Sequence, residues 1–297
     1  MESVVLHDRS SRLTATYVPA AGMICTSLAD DGVEFLGQRR GLQAYLADGK
    51  TMGVPILYPW ANRLGTNEYR VGDTVVRLTP GVDGVRGDAN GAPIHGVLAA
   101  NPDWRVTDRD DDRLVASLDW ETAPERMAVF PFPHRLTMAA TVADHTLTVV
   151  TTVTPTGSQP VPLCFGYHPY ITIPGVPRRD WLLTTPDMRH APVDDRGIPT
   201  GAHEPWPAAV GPLGDRVLDD GFDQVPAGAA FTLTGGDRCI EVTLEQGYPA
   251  AQLFAPINDD LVAIEPMAAP TDALRRGDYA VTEGHAPATM RFSIRIS

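Results

Sequence analysis

Glu265 follows four apolar residues and precedes a proline, in Leu261-Val262-Ala263-Ile264-Glu265-Pro266. Burying an unpaired carboxylate is costly, so such a group is either paired or holds its proton to higher pH than usual. A raised pKa suits a general base working near neutrality. His168 stands in Phe165-Gly166-Tyr167-His168-Pro169-Tyr170, where a strand must stop at Pro169 because proline cannot donate to the ladder. An imidazole at a strand end can both give and take a proton near neutral pH. Tyr167 and Tyr170 beside it offer flat apolar faces, useful against the C–H face of a sugar ring.

Two other segments carry polar residues that a plain strand or turn does not need. The apolar run Pro55–Ala61 ends in Asn62-Arg63, followed by Leu64-Gly65. Arginine presents a planar fork of donors and asparagine both donates and accepts, which suits a polyol. His95 lies between Ile94 and Gly96, and a glycine there lets another group approach the backbone closely. Two supporting candidates are Asp223, in Asp219-Asp220-Gly221-Phe222-Asp223, which could bind a hydroxyl pair, and Gln252, an amide in a strand-like run. Each pattern taken singly is also met by a structural residue: an Arg–Glu core pair, or a histidine bonded to a carbonyl.

Several chemistries lack their residues. The histidines form no HxH, HxxxH or HExxH pattern, so no metal site is expected. A GxSxG nucleophile motif and a P-loop are both missing. Lys50, the only lysine, sits in Asp48-Gly49-Lys50-Thr51 and reads as an exposed turn. Cys25, Cys164 and Cys239 are odd in number and widely spaced, so they read as free thiols in a reducing compartment. The net charge of −13, with no Lys/Arg cluster along the sequence, argues against a nucleic-acid partner. The first residues lack a basic segment followed by an apolar one, and no run approaches a membrane span. A cytoplasmic location is therefore expected, with no membrane partner.

The elements that must position these groups are strands. Leu136, Met138, Ala140 and Val142 alternate with more polar neighbours. A turn at Asp144-His145 follows, and Leu147, Val149, Thr151 and Val153 alternate again, which reads as a hairpin. Leu13/Ala15/Tyr17, Phe231/Leu233, Ile240/Val242/Leu244 and Phe292/Ile294/Ile296 repeat the pattern, with Gly- and Asp-rich turns between. No long segment holds a 3.6-residue period; the nearest is Thr271–Arg276. Strands following strands predict an all-β fold, a large antiparallel β-sandwich, with residues 1–297 as one domain. The stretch Pro186–Gly221 is poor in alternation and reads as long surface loops. The remaining histidines, among them His134, His145, His190 and His203, read as surface or turn residues.

Taken in order, these segments resemble the aldose 1-epimerase (galactose mutarotase) family. The marks are Asn62-Arg63 with Gly65, His95-Gly96, His168-Pro169-Tyr170, Gly221-Phe222-Asp223, Gln252 and Ile264-Glu265-Pro266. The resemblance spans most of the chain and implies a single β-supersandwich with an open cleft, working without a cofactor. It implies Glu265 as the base at the C1 hydroxyl, His168 as the acid at the ring oxygen, and His95 as a stabiliser nearby. It implies Asn62, Arg63, Asp223 and Gln252 as holders of ring hydroxyls. The expected partner is a small aldohexose, and the protein is a monomer or homodimer. Gln224 follows Asp223 where the family often has histidine, which bears on sugar identity.

Three other functions stay open at this level. A hexose-6-phosphate 1-epimerase would need cations at the cleft mouth; Arg178-Arg179 are candidates, though the pair also fits a solvated loop. A non-catalytic sugar-binding protein would not need both His168 and Glu265. A glycosidase or lyase would need a second carboxylate about 5–10 Å from Glu265, with Asp223 the candidate.

Overall fold

The computed structural model describes residues 1–297. The fold has two large antiparallel sheets; the alternating runs lie in the larger one, apart from Leu13/Ala15/Tyr17, which lies in a four-stranded N-terminal sheet. The larger has nine strands in the order Ala209–Pro212, Leu182–Thr185, Ala229–Gly235, Arg238–Gln246, Ala288–Ile296, Thr146–Pro155, His134–Ala143, Arg113–Asp119 and Arg105–Arg109. The smaller runs Glu204–Trp206, Met188–Ala191, Leu218–Asp223, Ala250–Ala255, Val262–Met267, Gly166–Tyr167 and Ile56–Leu57; Tyr170–Ile171 also pairs with Val262–Met267. A four-stranded N-terminal sheet of Val4–His7, Leu13–Val18, Ile24–Asp30 and Val33–Glu34 leans on the strand His134–Ala143.

The expected hairpin forms with Val142 opposite Leu147. Asp144 and His145 both take positive φ, 51° and 60°, as a two-residue turn that follows the strand twist requires. One core of 69 buried residues joins all three sheets. At its middle Tyr167 of the smaller sheet meets Phe292 of the larger at 4.9 Å between ring centres, and its hydroxyl lies 2.6 Å from Thr151 Oγ1. Tyr167 therefore belongs to the core and is not a sugar-facing aromatic.

Three short helices interrupt the strands: α1 (Gly41–Asp48), α2 (Pro124–Val129) and α3 (Ala273–Arg276). Only α3 falls in the segment with helical spacing. In α1, Leu42, Tyr45 and Leu46 cover Val18, Ile24 and Met52, and Gly49 closes the helix at φ 61° with its N–H on the Tyr45 carbonyl.

Two expectations need correction. Pro186–Gly221 is not only loop: it supplies Met188–Ala191, Glu204–Trp206 and Ala209–Pro212. The last two lie at sheet edges and are largely exposed, so they carry no alternation, and an edge also tolerates Pro205 and Pro212. His134 is not a surface residue. It is fully buried, stacked on Trp120 at 5.1 Å. Its Nδ1 donates to the Phe132 carbonyl at 2.6 Å, which leaves Nε2 to accept from the Tyr58 hydroxyl at 2.5 Å. The signal was its parity with Leu136 and Met138.

Candidate active site

The smaller sheet has one face on the core and one face under loops. Val262 and Ile264 point to the core, and so do Ala251 and Leu253 of the neighbouring strand. The period of two then sends Glu265, Gln252 and Phe254 to the opposite face. Glu265 is 2 % exposed there, opposite Gln252 in the ladder.

His168 occupies the gap between Gly166–Tyr167 and Tyr170–Ile171, and both of these short strands pair with the strand that carries Glu265. Pro169 makes the break. The His168 N–H donates to the Pro55 carbonyl at 3.1 Å, and the Pro169 carbonyl accepts from Ile264. The imidazole is thereby placed with Nε2 3.1 Å from Glu265 Oε1. Tyr170 stacks on the ring at 4.2 Å and brings its hydroxyl to 3.2 Å from Nε2. That hydroxyl is tied in turn to Thr51 Oγ1 at 2.7 Å.

Asn62, Arg63 and His95 form a second wall. The His95 N–H donates to the Asn62 carbonyl at 2.9 Å, and both residues adopt positive φ. Gly96 allows this. It has φ 61°, and a Cβ there would lie 2.0 Å from the Tyr58 carbonyl oxygen. The His95 ring sits 5.7 Å from that of His168, edge to face. Arg63 donates from Nε to Asp88 at 2.9 Å and from Nη1 to Asn62 Oδ1 at 3.2 Å.

These groups, with Asp219 and Phe254, line one cleft of about 360 Å³. Five of the seven residues singled out from sequence, namely Asn62, Arg63, His95, His168 and Glu265, meet in it. Asp223 does not. It shares the outward face of its strand with Asp219 but lies four residues further along, about 13 Å away. There it is bound by Arg189 through two hydrogen bonds of 2.6 Å and lines a separate small cavity with His203. Asp219, opposite Phe254 in the ladder, lines the cleft instead. Gln252, on the same face as Glu265 and Phe254, does not line the cleft and donates to Asp219 Oδ1 at 2.7 Å. Asp88, in Gly87-Asp88-Ala89-Asn90-Gly91, and Asp219, in the acidic pair Asp219-Asp220, have the neighbours of ordinary turn aspartates, so the sequence does not single them out; Asp223, singled out from the same segment as Asp219, lies outside the cleft.

Arg178 and Arg179 are also elsewhere. Arg178 is buried and donates to the carbonyls of Gly214 and Arg216, and Arg179 is exposed beside Asp180. The cations of the cleft are Arg39, Arg40, Lys50, Arg63 and Arg86.

Burial governs the electrostatics. It pushes the Glu265 carboxyl well above its usual pKa, with Asp219 adding to the rise and Arg63 opposing it. The same burial, helped by Arg39, pushes His168 down to about 3. His95 is also driven well below its usual value, by burial first and then by His168, Arg86 and Arg63. Asp88 behaves differently: burial raises it, but the N–H groups of Ala92 and Asn90 and the Arg63 guanidinium outweigh that and keep it ionised. The cleft thus holds a carboxyl and an imidazole, in contact, whose proton affinities are displaced in opposite directions. Such a pair carries one exchangeable proton, held at rest by the carboxyl. No three His, Cys, Asp or Glu side chains converge as a metal would need.

The family model for aldose 1-epimerase matches residues 8–288. Among curated proteins, the uncharacterized protein YihR of Escherichia coli K12 is 24% identical over 250 residues, covering 80% of this chain and 77% of the relative. Among solved structures, the Slr1438 protein of Synechocystis sp. PCC 6803 superposes with a TM-score of 0.80 at 22% identity, over 100% of this chain and 96% of that one. The GalM/aldose epimerase homologue of C. elegans gives 0.81 at 18% identity, over 100% and 98%. These likenesses carry the fold, and the match across nearly the whole chain carries the family: this protein is a member of the aldose 1-epimerase family.

Proposed function

We propose that the protein interconverts the α and β anomers of an aldohexose, with Glu265 as base and His168 as acid. The observation that carries this is the buried 3.1 Å contact between Glu265 Oε1 and His168 Nε2 on the floor of a cleft lined with polar groups. Anomerisation asks for one acid and one base poised on a small polyol. The Glu265 carboxylate takes the proton of the C1 hydroxyl while the imidazolium of His168 gives one to the ring oxygen. The C1–O5 bond breaks, the C1–C2 bond rotates, and closure with the roles reversed yields the other anomer.

The pair holds one proton between its members. With the proton on Glu265 the two are neutral; with it on His168 they form the working ion pair. These are tautomers of one ionisation state, linked across the 3.1 Å contact. His95, kept neutral by burial, is a hydrogen-bonding neighbour to the ring oxygen. Asn62, Arg63, Asp88 and Asp219 supply donors and acceptors for ring hydroxyls, and Tyr170 and Phe254 supply flat walls. Asp223 has no part in this, being committed to Arg189.

Polarimetry or NMR of freshly dissolved α-anomers, neutral and charged, tests the proposal with wild type and Glu265→Gln. Faster equilibration by wild type and its loss in the variant is the expected result. Unchanged equilibration in the variant would remove Glu265 from the chemistry, and binding without any acceleration would favour a sugar-binding protein.

A further inference from the structure

The cleft is more basic than its reaction requires. Of its five cations, two are neutralised: Arg39 by Asp259 at 3.1 Å and Arg63 by Asp88 at 2.9 Å. Arg40, Lys50 and Arg86 line the same cleft and none forms a salt bridge. The two remaining carboxyls of the cleft, Asp219 and Glu265, form no salt bridge with these three, so three cations face at most one carboxylate. Asp219 takes the amide of Gln252, and Glu265 lies against His168 and holds its proton. This concentration stands out in a chain with 24 Lys and Arg against 37 Asp and Glu, whose single lysine is Lys50.

The three are brought together by α1 and by one loop. Arg40 immediately precedes the helix and Lys50 follows its closing Gly49. Arg86 reaches over from the loop before His95 and lies flat on Gly49, where a Cβ would meet Arg86 Nε at 2.9 Å. Gly49 therefore serves two ends: its φ of 61° closes α1, and its missing side chain seats the guanidinium beside Lys50. Arg86 Nη1 is buried there with no hydrogen-bond partner. A desolvated cation with open donors is costly, and a neutral sugar hydroxyl repays it poorly compared with an oxyanion, whose charge-assisted bonds are about twice as strong. Arg40 and Lys50 are exposed at the rim, whereas Glu265 and His168 lie buried at the floor. A charged group would then sit at the outer end of a sugar whose anomeric carbon faces the floor.

Resting on the function proposed above, we infer that the preferred aldose carries an oxyanion on an exocyclic carbon, and that Arg86, Lys50 and Arg40 bind it. Phosphate, sulfate and carboxylate share the required chemistry. The bulk charge of −13 repels such a ligand at long range, and the local cations override it at contact.

Anomerisation rates of glucose, glucose 6-phosphate, glucose 6-sulfate and glucuronate, each corrected for the uncatalysed rate, decide the matter and separate the three anions. The expected result is a kcat/KM for at least one charged sugar about tenfold or more above that for glucose. In Arg86→Gln and in Lys50→Gln this charged-to-neutral ratio should collapse by a similar factor, with folding checked by circular dichroism. Glucose handled as well as every charged sugar, or a ratio unmoved by both substitutions, overturns the inference and leaves the epimerase proposal standing. If no sugar is equilibrated, the epimerase proposal falls. Calorimetry on the wild type with the same four ligands then decides the inference: selective binding of a charged sugar supports it, and equal or absent binding overturns it.

Discussion

Gln252 and Glu265 face each other directly across two neighbouring strands, yet the Gln252 amide donates to Asp219 and leaves Glu265 Oε2 without a partner. Gln252 therefore holds the Asp219 carboxylate with a hydrogen bond and gives none to Glu265, whose Oε1 meets His168 Nε2 at 3.1 Å. Burial first, then the charge of Asp219, keeps the Glu265 carboxyl above its usual pKa, and no donor from Gln252 relieves it.

Replacing Gln252 by leucine should loosen Asp219 and cost about 0.5–1.5 kcal/mol of stability, the net worth of one hydrogen bond, because Asp219 is exposed and water can take the place of the lost donor. Gln252 acts through Asp219, so the kinetic losses of Gln252→Leu and Asp219→Asn should fail to add in the double variant. Additive losses would show that the two residues work independently.

Glu265→Gln should lower kcat by about 10³-fold, within the range for removal of a general base. It should also make the fold more resistant to alkali. The unfolded carboxyl ionises in the usual range while burial keeps the folded one protonated. Wild type thus binds more protons when folded, and it loses stability as pH rises from the unfolded pKa toward the raised one, by about 1.4 kcal/mol per unit. Glutamine has no such dependence. The Tm difference, variant minus wild type, should grow between pH 5 and pH 8, the two values about the usual titration range of the unfolded carboxyl and above it. A constant or shrinking difference would mean that Glu265 is ionised in the resting fold.

The pH profile of kcat/KM follows from the pair. A second proton reaches it only near the depressed His168 value of about 3, and its single proton leaves only at the raised Glu265 value. Activity should stay flat between these two limits, with no break at the ordinary histidine value, and fall only as pH rises past the raised Glu265 value. A fall near pH 6.5, the unperturbed histidine value, would place His168 in contact with bulk water.

Tyr58 and His134 link the core to the site. The Tyr58 carbonyl accepts from Val97 and packs on Gly96, and its hydroxyl donates to His134. Tyr58→Phe strands the buried Nε2 and should cost about 1–3 kcal/mol in urea denaturation. Burial also pushes His134 down to about 4. The unfolded histidine takes its proton first, so this contribution is intact above about pH 6.5 and is lost as pH falls toward 4. Part of the acid sensitivity of the wild type should disappear in His134→Gln.

Residue order alone settled the core strands and marked two residues of the cleft floor. Period-two alternation needs only neighbours in the chain, so the hairpin around Asp144-His145 and the core strands were legible. Pro169 marked the break that holds His168, and four apolar residues marked Glu265 as buried. The cleft walls were not legible. Alternation gives Asp219 and Asp223 the same face, and only the pairing of Leu218–Asp223 with Ala250–Ala255 puts Asp219 beside Phe254 in the cleft and Asp223 at the other end of the strand. Nor does any spacing connect Arg40, Lys50 and Arg86, because a helix end and a distant loop carry them to one place. Period is a local property of the chain, whereas register and loop approach are set by long-range contacts that form only when the sheets pack.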